Sequence, residues 1–299
     1  MDRDVWRIVS AAVRRHARAV GEPGRRPTYP TRLIVLMYLW GAYFDRCMGW
    51  ARDRRHYGGC FRPRGRLPSV SQFTRRVRAP ACREVLRRVH ADLRRCGVAS
   101  DVGYFDGKPL PVGPASKDPD AARGRAAGGW AKGYKLHAYV NERRRVVVWS
   151  VAPLNVAEQS VALVLAGHLP PAAPGAVDLA DGNYDAAPLH RALNARGRAL
   201  LTPLKGRARV GPAGRHPVTL RQMGPGRREA VRLWDEAPGL ARMTLRRRNN
   251  VEGVFSVLAA GGLGALPPHV RRLDRVTRHV GAKIILYHAR LLAQERAAA

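Results

Sequence analysis

The feature that most constrains this chain is a change of apolar rhythm near residue 100. Before it, apolar side chains return every three or four residues. After it, they come in short runs of strand length with single helical stretches between them. Residues 102–106, 134–140 and 145–152 are β-prone, and Asn141-Glu142-Arg143-Arg144 suits a hairpin turn between the last two. A helix is predicted over 156–168, striped by Val161, Leu165 and Leu169, with Asn155 and Glu158 at capping-box spacing. A strand over 176–180, a helix over 186–196 capped by Asp185, and a strand over 199–204 complete the series. Three strands in a meander and then alternation define an α/β fold, a mixed sheet with helices on its faces.

The first hundred residues read as all-helical. Val5, Ile8, Val9, Ala12 and Val13 stripe a helix over 3–19, and Thr31 can cap a second carrying Leu33, Leu36, Met37, Trp40 and Phe44. Ser69 or Ser71 can cap a short helix that turns Phe73 and Val77 inward and Arg75, Arg76 and Arg78 outward. A further helix over 81–96 buries Val85, Leu86, Val89 and Leu93 and stops at Gly97. A short capped helix with an arginine face suits insertion into a DNA major groove. It suits a solvated face of a helical bundle equally. Two domains are expected: a helical, DNA-binding region over 1–100, and a sheet domain over 101–299 interrupted by a basic Gly/Pro-rich loop or insertion at 205–235. Helices over 249–259 (Val251, Val254, Phe255, Leu258) and 273–295 end the chain.

Charge narrows the partners. Lysine and arginine total 54 against 22 acids, a formal net charge of +32, and arginine supplies 48 of the 54. A GC-rich coding bias accounts for arginine in place of lysine, but not for the scarcity of acids. Such an excess repels itself unless a polyanion neutralises it, which points to nucleic acid. No run approaches the roughly 20 apolar residues of a membrane span, and no secretory leader opens the chain. Cys47, Cys60, Cys82 and Cys96 form no Cys-x-x-Cys pair and read as free thiols. A reducing cytoplasm, in association with the nucleoid, is the expected location.

Three acids occupy telling places in the predicted order. Asp106 ends the first strand, Asp181 ends the fourth, and Glu252 lies on a later helix. If the first and fourth strands are neighbours, Asp106 and Asp181 emerge side by side, and a helix crossing that end can add Glu252. Converging carboxylates repel one another and call for cations. Their oxygens suit Mg²⁺ or Mn²⁺, and two such ions can serve an in-line phosphoryl displacement. Each acid also has an ordinary role open to it: Asp106 and Asp181 as turn formers before glycine, Glu252 as a surface residue paired with Arg248. Asp178 is left without a role.

The stretches Leu-Ala-Asp-Gly-Asn-Tyr-Asp (179–185) and Arg-Asn-Asn-Val-Glu-Gly-Val-Phe-Ser-Val-Leu (248–258) resemble two signature regions of IS4/IS5-type DDE insertion-sequence transposases. Gly-Tyr-Lys-Leu-His (133–137) resembles the strand between their first and second acids. The resemblance covers about residues 100–295. It implies a ribonuclease-H-like sheet, a bacterial transposable element, magnesium or manganese, and metal-dependent cleavage at element ends followed by strand transfer. Carried over, the catalytic and metal-binding triad falls on Asp106, Asp181 and Glu252, and Arg248 matches the family's arginine. The implied partners are double-stranded DNA, as element ends and target, and a second copy in a synaptic homodimer. Leu245 and Ala259 stand where the family pattern has tyrosine and lysine. Those departures also admit a decayed or domesticated protein that binds DNA without cutting it. Lys132, Lys135 and His137 are further candidates for DNA contact, as is a loop over 116–132 carrying Arg123 and Arg125. Trp130 there could stack on a base or pack into the core.

Overall fold

The computed structural model describes the chain except residues 1, 23–26, 96–99, 127, 171, 173–174, 205–223 and 299. The helices are α1 (Arg3–Val20), α2 (Thr31–Tyr43), α3 (Val70–Val77) and α4 (Pro80–Arg95). The alternating region follows as β1 (Val102–Pro111), β2 (Ala122–Ala126), β3 (Gly129–Asn141), β4 (Val146–Pro153), α5 (Glu158–Gly167), β5 (Ala176–Leu179), α6 (Ala187–Asn194) and β6 (Arg198–Leu201). Four helices close the order: α7 (Pro225–Glu236), α8 (Pro238–Arg246), α9 (Asn249–Leu258) and α10 (Leu273–Ala298). No described helix is long and apolar enough to cross a membrane. Of the basic insertion expected over 205–235, residues 205–223 lie outside the described residues, and the remainder is mostly α7.

The chain divides into two units, 1–96 with 257–299, and 97–256. In the first, α1, α2, α3 and α4 bury the stripes their spacing predicts: Val9, Val13, Ile34, Met37, Phe73, Val77, Val85 and Val89 are all inside. Ala282, Ile285, Leu286 and Ala289 of α10 belong to the same core. The final helix therefore joins the N-terminal helices, not the sheet with which a boundary at 101 had grouped it. Burying a side chain the size of Ile285 or Leu286 is worth about 1.5–3 kcal/mol, so these two, with Ala282 and Ala289 packed beside them, commit α10 to that core. Asp45 holds Lys283 of α10 at 2.8 Å. Ser69 caps α3 in a full capping box with Gln72. Thr31 does not cap α2; Glu22 does so from nine residues away, accepting from the Thr31 amide at 2.8 Å and from its hydroxyl at 2.8 Å.

The second unit is built on one mixed sheet. β3 pairs antiparallel with β1 on one side and with β2 and β4 on the other. β1 pairs parallel with β5, and β5 parallel with β6. An antiparallel meander beside two parallel strands, with helices on the faces, is the ribonuclease-H-like arrangement that the resemblance implies. Two details differ from the sequence reading. β1 runs on to Pro111 instead of stopping at Asp106. The loop expected over 116–132 contains β2 and the start of β3, hairpinned through Gly128 and Gly129 at φ 87° and 130°. Its regular alternation of glycine or alanine with charge hid it as a strand.

The sheet's interior is fixed by buried charge as well as by apolar packing. Asp178 on β5 is fully buried. It accepts from Arg198 Nε at 2.8 Å and from the Tyr139 hydroxyl at 2.8 Å, and Arg198 also donates to that hydroxyl. One acid thus ties β3, β5 and β6 together. Gly103 leaves room for it, because a side chain there would collide with the Tyr139 ring.

Candidate active site

The parallel pairing of β1 with β5 ends at Tyr104 opposite Leu179. Asp106 lies two residues past that point on β1, and Asp181 lies two past it on the β5 chain. The strands run the same way, so both acids leave the sheet at one end. The Asp106 carboxylate accepts from the Gly107 amide at 2.8 Å. Asp181 caps a single helical turn, accepting from the Asn183 amide at 2.6 Å. Each therefore has the local turn bond that its Asp-Gly sequence allows, and each keeps acceptor capacity beyond it.

α9 lies on the Tyr104 side of the sheet, where Asn250 donates to the Tyr104 hydroxyl at 3.0 Å. Just ahead of it stands Arg248. Its guanidinium reaches Asp106 at 3.5 Å and Glu252 at 3.0 Å. An arginine four residues before a glutamate is the weaker order for supporting a helix, and a cation near a helix N-terminus opposes the dipole. The contact with Asp106 gives Arg248 a reason to be there. Glu252 itself is exposed, with 57% of its side chain accessible.

Electrostatics mark the two aspartates. Burial pushes Asp106 up to about 6; the Gly107 amide and Arg248 oppose this, while Asp181 and Glu158 add to it. Asp181 is raised as well, by burial first and by the nearby Glu158 charge, against the Asn183 amide, Arg248 and Lys135. Glu158 is thus a fourth carboxylate beside the pair. Its spacing from Asn155 predicts a capping box, but α5 is capped by no side chain. Glu158 instead accepts from Lys135 Nζ at 2.6 Å. The readable signal was Lys135, a lysine within a strand of apolar and aromatic neighbours, which needs an acid wherever it is buried. Gly107 keeps space for that pair: a Cβ there would stand 2.9 Å from Lys135 Cδ and 3.1 Å from Glu158 Oε1.

Other expectations are redirected. His137 is 1% exposed, and neither ring nitrogen has a hydrogen-bond partner among the described residues. Burial, then Lys135, lowers its pKa to about 4. His137 is enclosed in the sheet, whereas Lys135, though mostly buried, lines the cleft beside Glu158 and acts on Asp181. Lys132 donates to the Ser116 carbonyl at 2.9 Å and is half-buried. Arg75 and Arg78 are exposed as expected. Arg76 turns inward, to the Tyr29 carbonyl at 2.8 Å and to Glu22 at 3.7 Å. Asp185 caps nothing: it is buried and holds Arg227 through two bonds of 2.8 Å.

Among the described residues, no three His, Cys, Asp or Glu side chains stand close enough to hold a metal ion. Arg248 bridges Asp106 and Glu252 instead. The donor chemistry at Asp106 and Asp181 nevertheless fits a hard divalent cation: carboxylate oxygens, disfavoured as anions by burial and by neighbouring carboxylates.

A family model described as the Transposase DDE domain matches residues 99–288. No curated protein matches the chain, and no solved structure does.

Proposed function

The chain belongs to the DDE-domain transposase family, and from that premise we propose that it cuts DNA at the ends of an insertion sequence and joins them to target DNA. Asp106, Asp181 and Glu252 are the proposed triad. The observation that carries the reading is the in-register emergence of Asp106 and Asp181, with Arg248 spanning Asp106 and Glu252. Asp106 and Asp181 would hold Mg²⁺ or Mn²⁺, and Glu252 would complete the set by turning from Arg248. A divalent ion there supplies the positive charge that an attacking and a leaving phosphoester oxygen both require. Arg248 neutralises Asp106 and Glu252 in the present arrangement. Once another cation neutralises them, its fork is free to hold a substrate phosphate. Arg75 and Arg78 in the helical unit, and Arg123 and Arg125 on β2, are proposed to position the DNA backbone. Work on two ends calls for a second copy of the chain.

Leu245 and Ala259 favour a second reading, DNA binding without cleavage. One experiment decides between them. DNA carrying the sequences that flank the coding region is incubated with the protein in Mg²⁺ or Mn²⁺, and nicked and joined products are counted. Asp181→Asn is expected to lower nicking at least 10³-fold, roughly 4 kcal/mol of barrier, while leaving DNA affinity in place. Equal nicking by wild type and variant would sink the catalytic assignment.

A further inference from the structure

The helical unit holds a cavity that the proposed chemistry does not use. Its walls come from the second half of α2, the loop that follows it, α3 and the start of α10, all within that unit. Its volume is about 350 Å³, within the range of small-molecule pockets. The lining sorts by depth. Phe73 and Val270 are buried and Tyr38 and Met48 half-buried, so the interior is apolar. Arg46, Arg78 and Arg275 are exposed and set the mouth, and Arg278 lines the wall.

Acids answer only two of these four guanidiniums. Asp274 lies 2.7 Å from Arg278 and 4.0 Å from Arg78. Arg46 and Arg275 pair with no acid among the described residues. An apolar interior thus opens through a mouth with uncompensated positive charge. An uncharged apolar ligand would fill the one and leave the other bare. A phosphate of DNA would meet the arginines and leave the interior empty. A small amphipathic anion suits both, since a carboxylate matches the guanidinium fork. The rings of Tyr38 and Phe73 favour an aromatic body, which packs on them by edge or by offset face.

We propose that this cavity binds a small aromatic carboxylate, its ring against Tyr38 and Phe73 and its charge on Arg46 and Arg275. None of these residues belongs to the proposed triad, and the test uses neither DNA nor a divalent ion, so it stands apart from the proposed function. The full chain is titrated calorimetrically with 1-naphthoate and, separately, with the neutral 1-naphthalenemethanol. Wild type is expected to bind the acid saturably and about tenfold or more tighter than the alcohol, the scale of one charge-assisted hydrogen bond. Arg46→Met combined with Arg275→Met should abolish that difference while leaving the alcohol's affinity in place. Both arginines are exposed, which favours folding of the variant, and circular dichroism checks it. A second readout locates the ligand. Cys47 lines the cavity and Cys60 does not, so saturating 1-naphthoate should slow alkylation of Cys47 by iodoacetamide and leave Cys60 unchanged. Equal affinity for acid and alcohol overturns the proposal, as does acid binding that the double variant leaves unaltered. Absence of saturable binding, or a Cys47 that the acid does not protect, overturns it as well.

Discussion

Asp106 is held in the folded chain against its own tendency to ionise. Its pKa lies near 6, so the folded state binds that proton more tightly than the unfolded chain does. The stability that the protonated form contributes is complete below about pH 4, the ordinary aspartate range, and is lost as pH rises through 6. Without divalent ions, Asp106→Asn should therefore stabilise the protein at pH 7.5 by about 1–2 kcal/mol. The gain should vanish near pH 4. Urea unfolding at the two pH values measures it, and an equal gain at both would show that ionisation is not its source. The same residues show what the sequence could reveal at this scale. Arg248, Glu252 and Asp181 stood out as candidates because residue type, spacing and turn chemistry coincide, and the structure gives Arg248 its contacts with Asp106 and Glu252. Glu158 was hidden by a local alternative, since its capping-box spacing is real and the box does not form. His137 and Lys135 alternate properly along β3, but only the packed structure says that their side is the inner one. Arg76 sits among outward arginines and turns inward because Tyr29 and Glu22, remote in sequence, wait there.

At the scale of elements, regular apolar stripes made α1–α4, α5, α9 and α10 readable to within a few residues, whereas the β1–β5 adjacency was only a condition of the sequence reading, which the structure meets. Elements with weak stripes were lost. α8 buries Ala241 while leaving Leu240 and Met243 exposed, so it has little apolar period to detect. β2 alternates small residues with arginine because Gly124 lies against the Leu154 carbonyl, where a Cβ would approach to 2.5 Å. Asp178, which had no evident role, is the joint among β3, β5 and β6. Arg198→Ala would leave that acid buried and unpaired, and should cost about 3–5 kcal/mol. Asp178→Leu combined with Arg198→Met removes both charges and should cost clearly less. Unfolding midpoints of the single and double variants check this; a double variant as unstable as the single would mean that the charge pair is not what matters.

At the scale of the whole molecule, the helical unit is discontinuous, with residues 97–256 inserted between its two parts. Residues 1–96 alone lack the α10 side chains Ala282, Ile285, Leu286 and Ala289 that complete their core. That fragment is expected to bind a hydrophobic dye and melt without a sharp transition. Adding 257–299 as a separate peptide should restore cooperative melting, and a sharp transition in the fragment alone would refute the dependence. The match over 99–288 spans the inserted unit and much of α10, so family membership does not follow the boundary between units. The discontinuity also sets an order of maturation. On the ribosome the sheet's segments are all translated before α10 exists, and the last stretch takes seconds at about 5–20 residues per second. The unit begun first is thus finished last. Until translation ends, the nascent protein can own a complete set of acids while the helices proposed to seat it on DNA are still waiting for their final member.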